Sequence, residues 1–229
     1  MKTKHKILFA KIISNIITFF YKNKVLVKRN DICWSLNLNE GIDLSIFLFG
    51  KFENSIIDVA KYLVKKKKIT IVDIGSNMGV HSLRLAKIFN TSSVYSIEPT
   101  DFAYNKLSKN VSLNKQIKNI KTFQYFITAK NMKPKKVYSS WKLENSNQKH
   151  KKHYGTLKTT KFSKVISLDK FLKEKKISKK IFNLKYGHLR PGTYDITSKR
   201  YDEKNYFNFK DFKLSKKIFL KEKNLISKK

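Results

Sequence analysis

Residues 69–79, Ile-Thr-Ile-Val-Asp-Ile-Gly-Ser-Asn-Met-Gly, constrain the fold more than any other stretch of the chain. An apolar run of strand length reaches Asp73, turns at Gly75, and opens into a helical pattern from Val80 to Phe89. A second short apolar run, Val94 to Ile97, ends on Glu98-Pro99. Two parallel strands joined by a helix, each strand closed by an acid, form half of a nucleotide-type cradle in an α/β sheet.

The loop chemistry narrows the ligand. Gly75 stands where the chain must turn sharply, and its missing Cβ permits a positive φ. Gly79 opens the helix, where a side chain would block close approach of a ligand to the backbone. The spacing is Gly-x-x-x-Gly, unlike the Gly-x-Gly-x-x-Gly that brings a helix N-terminus onto a pyrophosphate. No Gly-Lys-Ser/Thr follows, which excludes a phosphate-cradling P-loop. A ligand carrying adenosine but no phosphate suits this loop better. Glu98 falls about twenty residues past the loop, the separation at which a strand-end carboxylate meets ribose hydroxyls. Asp73 is placed to orient the loop amides or to face an ammonium group. The plain alternative is a generic βαβ unit in which Asp73 and Glu98 are only polar strand ends.

The chain's 229 residues suit one ordinary α/β domain with a buried core. Its net charge of +35 comes almost entirely from lysine, the arginines being Arg29, Arg84, Arg190 and Arg200. Phosphate and base-edge recognition favours arginine forks, so no specific nucleic-acid partner is expected. The accompanying Ile, Asn and Phe point to an AT-biased coding background, with attraction to anionic surfaces as the alternative. Cys33 stands alone, so no intrachain disulfide can form and no thiolate cluster exists. The close pair His150 and His153 lies in a lysine-rich stretch with few acids, and no metal site is assigned.

Residues 1–29 read as a basic start followed by an apolar helix from Ile7 to Tyr21. That run is too short for a bilayer span and is broken by Lys11 and Asn15. No small-residue cleavage site follows it. It either packs on the main domain or lies as a basic interfacial helix on an anionic membrane; the expected location is cytoplasmic, peripheral at the membrane in the second case. Residues 25–38 read as extended, and Ser45–Phe49 and Ser55–Lys65 as helical. Asp101 is expected to cap a helix bearing Phe102, Leu107, Val111 and Leu113. Ile120–Ile127 reads as a third strand and 130–161 as an exposed insertion. A strand at Val165–Leu168, a helix capped by Asp169, and a strand from Lys180 follow.

These pieces resemble the FkbM-type family of S-adenosylmethionine-dependent methyltransferases. The resemblance rests on residues 72–79 (Val-Asp-Ile-Gly-Ser-Asn-Met-Gly) and 95–99 (Tyr-Ser-Ile-Glu-Pro), then on Leu107–Asn114 and Ile166–Phe171. It covers roughly residues 30–185 and implies a Rossmann-like class I methyltransferase sheet. It also implies O-methylation of a hydroxyl on a sugar or secondary metabolite. Carried onto this chain, Asp73, Gly75, Ser76, Asn77, Gly79 and Glu98 line the S-adenosylmethionine site.

The family's Lys-x-Asp-x-Glu/Asp-Gly motif is met here only by Lys185, because Tyr186-Gly187-His188 follows without either acid. The sheet is therefore expected to be incomplete at its C-terminal strands. Residues 186–229 form a divergent basic tail, and its stretch 186–196 resembles a short segment of phosphoenolpyruvate-synthase-like proteins. No residue stands out as a catalytic base: His81 reads as core-facing and Asp169 as a cap. Two alternatives to an active enzyme stay open. One is a cofactor-binding protein without turnover. The other is a basic RNA-binding or RNA-methylating protein, in which Tyr138, Trp141 and Tyr154 interleave with lysines as a stacking platform.

Overall fold

A computed structural model describes residues 3–64, 69–128, 136–139, 142–143, 155–177 and 181–185. Trp141, His150, His153, Tyr154 and the whole of 186–229 lie outside these residues. Helix α1 (Thr3–Phe20), the hairpin strands β1 (Lys24–Arg29) and β2 (Ile32–Asn37), and helices α2 (Gly41–Phe49) and α3 (Ser55–Val64) come first. The unit β3 (Thr70–Ile74), α4 (Val80–Ile88), β4 (Ser93–Ile97), α5 (Asp101–Ser112) and β5 (Ile120–Phe123) follows. After it come β6 (Tyr125–Ile127), β7 (Val137–Ser139), β8 (Thr156–Lys158), β9 (Lys164–Ile166), α6 (Leu168–Glu174) and β10 (Ile181–Lys185).

The central sheet has the order β10-β3-β4-β5, with every pairing parallel. This is the Rossmann-like α/β arrangement that the alternation of apolar runs and helical patterns predicts, with β10 at one edge among the described residues. Strand side chains alternate between faces, and the register puts Ile71, Val94 and Ile120 side by side. They join the larger core with Leu83 and Leu85 of α4, Ile57 and Ala60 of α3, and Ile32, Trp34 and Leu36 of β2. Val72 and Ile97 belong to the opposite face, where Phe171 and Leu172 of α6 cover them together with Tyr95 and Phe123. Burial on both faces explains why β3 reads as a nearly unbroken apolar run.

Three local expectations are corrected. Thr100, not Asp101, is the N-cap of α5. The Asp101 carboxylate instead accepts the N–H groups of Lys161 and Phe162 and a bond from Gln124, so it fastens the end of the insertion. The run Ile120–Ile127 breaks at Gln124: β5 stays in the central sheet, whereas β6 pairs with β9. Ser167 caps α6 by accepting from the Lys170 N–H, and Asp169 lies within the first turn.

Helix α5 and the turn that follows it carry two buried polar residues that periodicity does not reveal. Asn110 and Asn114, one turn apart and fully buried, face the free edge of β2. Asn114 accepts from the Cys33 N–H and donates to the Cys33 carbonyl, both at 2.8 Å. Asn110 accepts from the Ser35 N–H at 2.8 Å and donates to the Met78 carbonyl at 3.0 Å. Their amides thus stand in for the missing neighbour strand and satisfy backbone groups whose burial would otherwise be costly.

Candidate functional site

The chain steps from β3 to β4 to β5 in one direction, and β10 then pairs on the other side of β3. That reversal is a topological switch point, and open parallel sheets bind ligands in the crevice at the carboxyl ends of the strands there. The strand ends at this place are Ile74-Gly75 and Lys185.

The loop 75–79 closes on itself. Gly75, at φ +80°, and Ser76 both donate to the Ile97 carbonyl, at 2.7 and 3.1 Å. The Asn77 N–H donates to Glu98 Oε2 at 2.9 Å, and the Gly79 N–H to the Ser76 carbonyl at 2.8 Å. Asn77 takes a left-handed φ of +50°, which asparagine tolerates better than most residues. Gly79 has φ +91°, and a Cβ there would lie 2.7 Å from Leu107 Cδ1. The left-handed backbone itself favours glycine at this position, and the side chain that a Cβ would press on belongs to Leu107 of α5.

The two strand-end acids behave differently. Asp73 is fully buried and faces α4, where Oδ2 accepts from the Ser82 hydroxyl. Its Oδ1 is buried with no hydrogen-bond partner, as are the hydroxyls of Ser76 and of Ser96, its register neighbour on β4. Burial pushes the Asp73 carboxyl up to about 7; the Ser82 bond works against this and the nearby Glu98 adds to it. Glu98, 3% exposed, accepts three bonds: Asn77 N–H on Oε2, and the Thr100 N–H and hydroxyl on Oε1. Burial raises its carboxyl too, against the opposing pull of those donors. His81, on α4, is buried, and desolvation followed by Arg84 lowers its imidazole to about 4.

Of the six residues singled out in the sequence, Gly75 and Asn77 are partly exposed at the loop surface. Ser76, Gly79, Asp73 and Glu98 are buried behind it. The loop and Glu98 are joined directly by the Asn77 bond, whereas Asp73 reaches α4 instead. Ser82, Thr100 and Asn110 complete the arrangement and escaped the sequence reading. Thr100 alone carried a signal, since a hydroxyl two residues past a strand-end carboxylate readily closes a local turn. A carboxylate offers about four lone-pair positions, so Glu98 keeps one acceptor position beyond its three bonds.

No protein-family model matches the chain, and no curated protein matches it. Among solved structures it is similar to M. jannaschii TYW2 in complex with AdoMet, at 20% identity and a TM-score of 0.31. That likeness covers 44% of this chain and 42% of the other. It is also similar to P. horikoshii TYW2 in complex with MeSAdo, at 17% identity and a TM-score of 0.31. Here 44% of this chain and 35% of the other are covered. The chain thus spans about two fifths or less of the solved chains that it matches.

Proposed function

We propose that the chain binds S-adenosylmethionine at the carboxyl ends of β3 and β4 and is a methyltransferase of the FkbM type. Its acceptor is a hydroxyl on a sugar or secondary metabolite. One observation carries the cofactor assignment: the N–H groups of Gly75, Ser76, Asn77 and Gly79 are all taken by internal acceptors. A pyrophosphate needs such amides free, so this loop favours a nucleoside without phosphates.

When bound, S-adenosylmethionine supplies a methyl group activated by its sulfonium. Glu98 has one acceptor position left for a ribose hydroxyl, and Gly75 and Asn77 present the loop surface. The protein's task is to align the acceptor oxygen and to exclude water, and the acceptor's proton leaves to a base. The FkbM assignment rests on the stretches 72–79, 95–99, 107–114 and 166–171.

Isothermal titration of the full chain with S-adenosylmethionine, with NAD as the contrast, tests this. Micromolar binding of the first and none of the second is expected. Glu98→Gln, which keeps the size but removes one acceptor oxygen, should weaken binding about tenfold. A folded chain that ignores S-adenosylmethionine, or binds NAD equally well, overturns the assignment. The absence of an acid at 186–188, directly after Lys185, favours a second reading, a binder without turnover. Under it the titration succeeds but no methyl group reaches any hydroxyl acceptor.

A further inference from the structure

Helix α1 is held to the domain by one side only. The Ser14 hydroxyl is buried and donates to the Leu38 carbonyl at 2.9 Å, and Ile17 packs against the main core. The other side is apolar and open. Leu8, Phe9, Ile12, Ile16, Phe19 and Phe20 are all exposed, Phe19 by 84% and Phe20 by 75%. At 3.6 residues per turn these six positions fall within an arc of about 120°. They form one continuous stripe along the helix, not scattered surface residues. A stripe of this kind marks an interaction surface.

Charge identifies what covers it. Residues 1–30 contain seven lysines and one arginine and no acidic residue. Lys22, Lys24 and Lys28, just past the helix, are exposed. A second copy of the chain would bring +35 against this face. Residues 186–229, with twelve basic and five acidic residues, would also bring positive charge. A nucleic acid would match the lysines but leave the phenylalanines in water. An anionic bilayer satisfies both features, because it takes the apolar stripe into the acyl boundary and the lysines at the headgroups. No helix among the described residues is long and apolar enough to cross a membrane, so the contact is one of lying in the surface.

We infer that α1 docks the protein onto an anionic phospholipid bilayer, with Phe19 and Phe20 as its deepest anchors. The test is co-sedimentation of the full chain with vesicles of phosphatidylcholine alone and of phosphatidylcholine mixed with phosphatidylserine. The chain should sediment with the mixed vesicles, less so as salt is raised. The double variant Phe19→Ser, Phe20→Ser should bind them about tenfold or more weakly. Both side chains are exposed, so its circular dichroism should match that of the parent.

A second variant, Phe19→Trp, should show blue-shifted emission with the mixed vesicles and quenching by brominated lipid. Equal sedimentation of parent and double variant would overturn the inference in favour of a charge-only contact. So would no sedimentation with mixed vesicles, or unchanged emission from Phe19→Trp. A parent dimer that becomes a monomer in the double variant would assign the face to a second copy instead.

Discussion

Asp73 and Glu98 close neighbouring parallel strands, and in the sequence they look alike. In the structure they do opposite work. Glu98 turns along the sheet edge and gathers three donors, so it fixes the glycine loop and the entry to α5 together. Asp73 turns into the helix interface, where it meets Ser82, and leaves an oxygen unpaired. The contrast shows that an acid at a strand end is not by itself a ligand contact: the side chain's face in the sheet decides whether it meets the loop or the helix behind it.

The sharpest way to break the comparison lies between the two acids. Gly79→Ala puts a methyl against Leu107 at a residue held at φ +91°, and strain and overpacking together should cost about 4 kcal/mol. Denaturant unfolding measures this, and a loss below about 1 kcal/mol would show that α5 yields easily at this contact. Glu98→Ala comes next, since it strands the Asn77 and Thr100 donors; about 3 kcal/mol should be lost. If Glu98 were only a ribose ligand, the same variant would keep its stability and lose affinity alone.

Asp73→Asn should act in the opposite direction. Asp73 holds its proton more tightly in the fold than in the unfolded chain, so its contribution favours the fold at low pH. That contribution is lost as pH rises from 3.8 through about 7. His81 has the reverse slope, because the fold keeps it neutral: stability falls as pH drops from 6.5 towards about 4. Removing the Asp73 carboxyl should therefore tilt the stability–pH curve towards the His81 slope. It should also stabilise the protein by about 2 kcal/mol above about pH 7. Thermal melts across that range check it, and an unchanged profile would mean that Asp73 is solvated in solution. Smallest of the four, Asn114→Ala should cost about 1.5 kcal/mol by leaving both peptide groups of Cys33 without their partners.

Much of this was legible in the sequence. The apolar runs at 70–74 and 93–97, the helix opening after Gly79 and the final strand near 181 follow from period and length alone. The strand break at Gln124 was not, because β5 and β6 follow one another as a single strand-like stretch and only their partners differ. The cap of α5 was misplaced by one residue, since Asp101 satisfies the usual preference but is drawn away by the 161–162 amides. In the candidate site, residue types and spacing located the loop and the acids. They did not reveal orientation, which depends on the register of β3 against β4 and on Ser82 arriving from α4.

Because Asn110 and Asn114 grip peptide groups and not side chains, they are indifferent to what β2 is made of. Cys33 and Ser35 could be exchanged for other strand-forming residues while the helix kept its hold, so long as the backbone stayed extended. The reverse does not apply, since no other side chain offers a donor and an acceptor at the length of an asparagine amide. Divergence should therefore run freely along one partner of this contact and stop at the other.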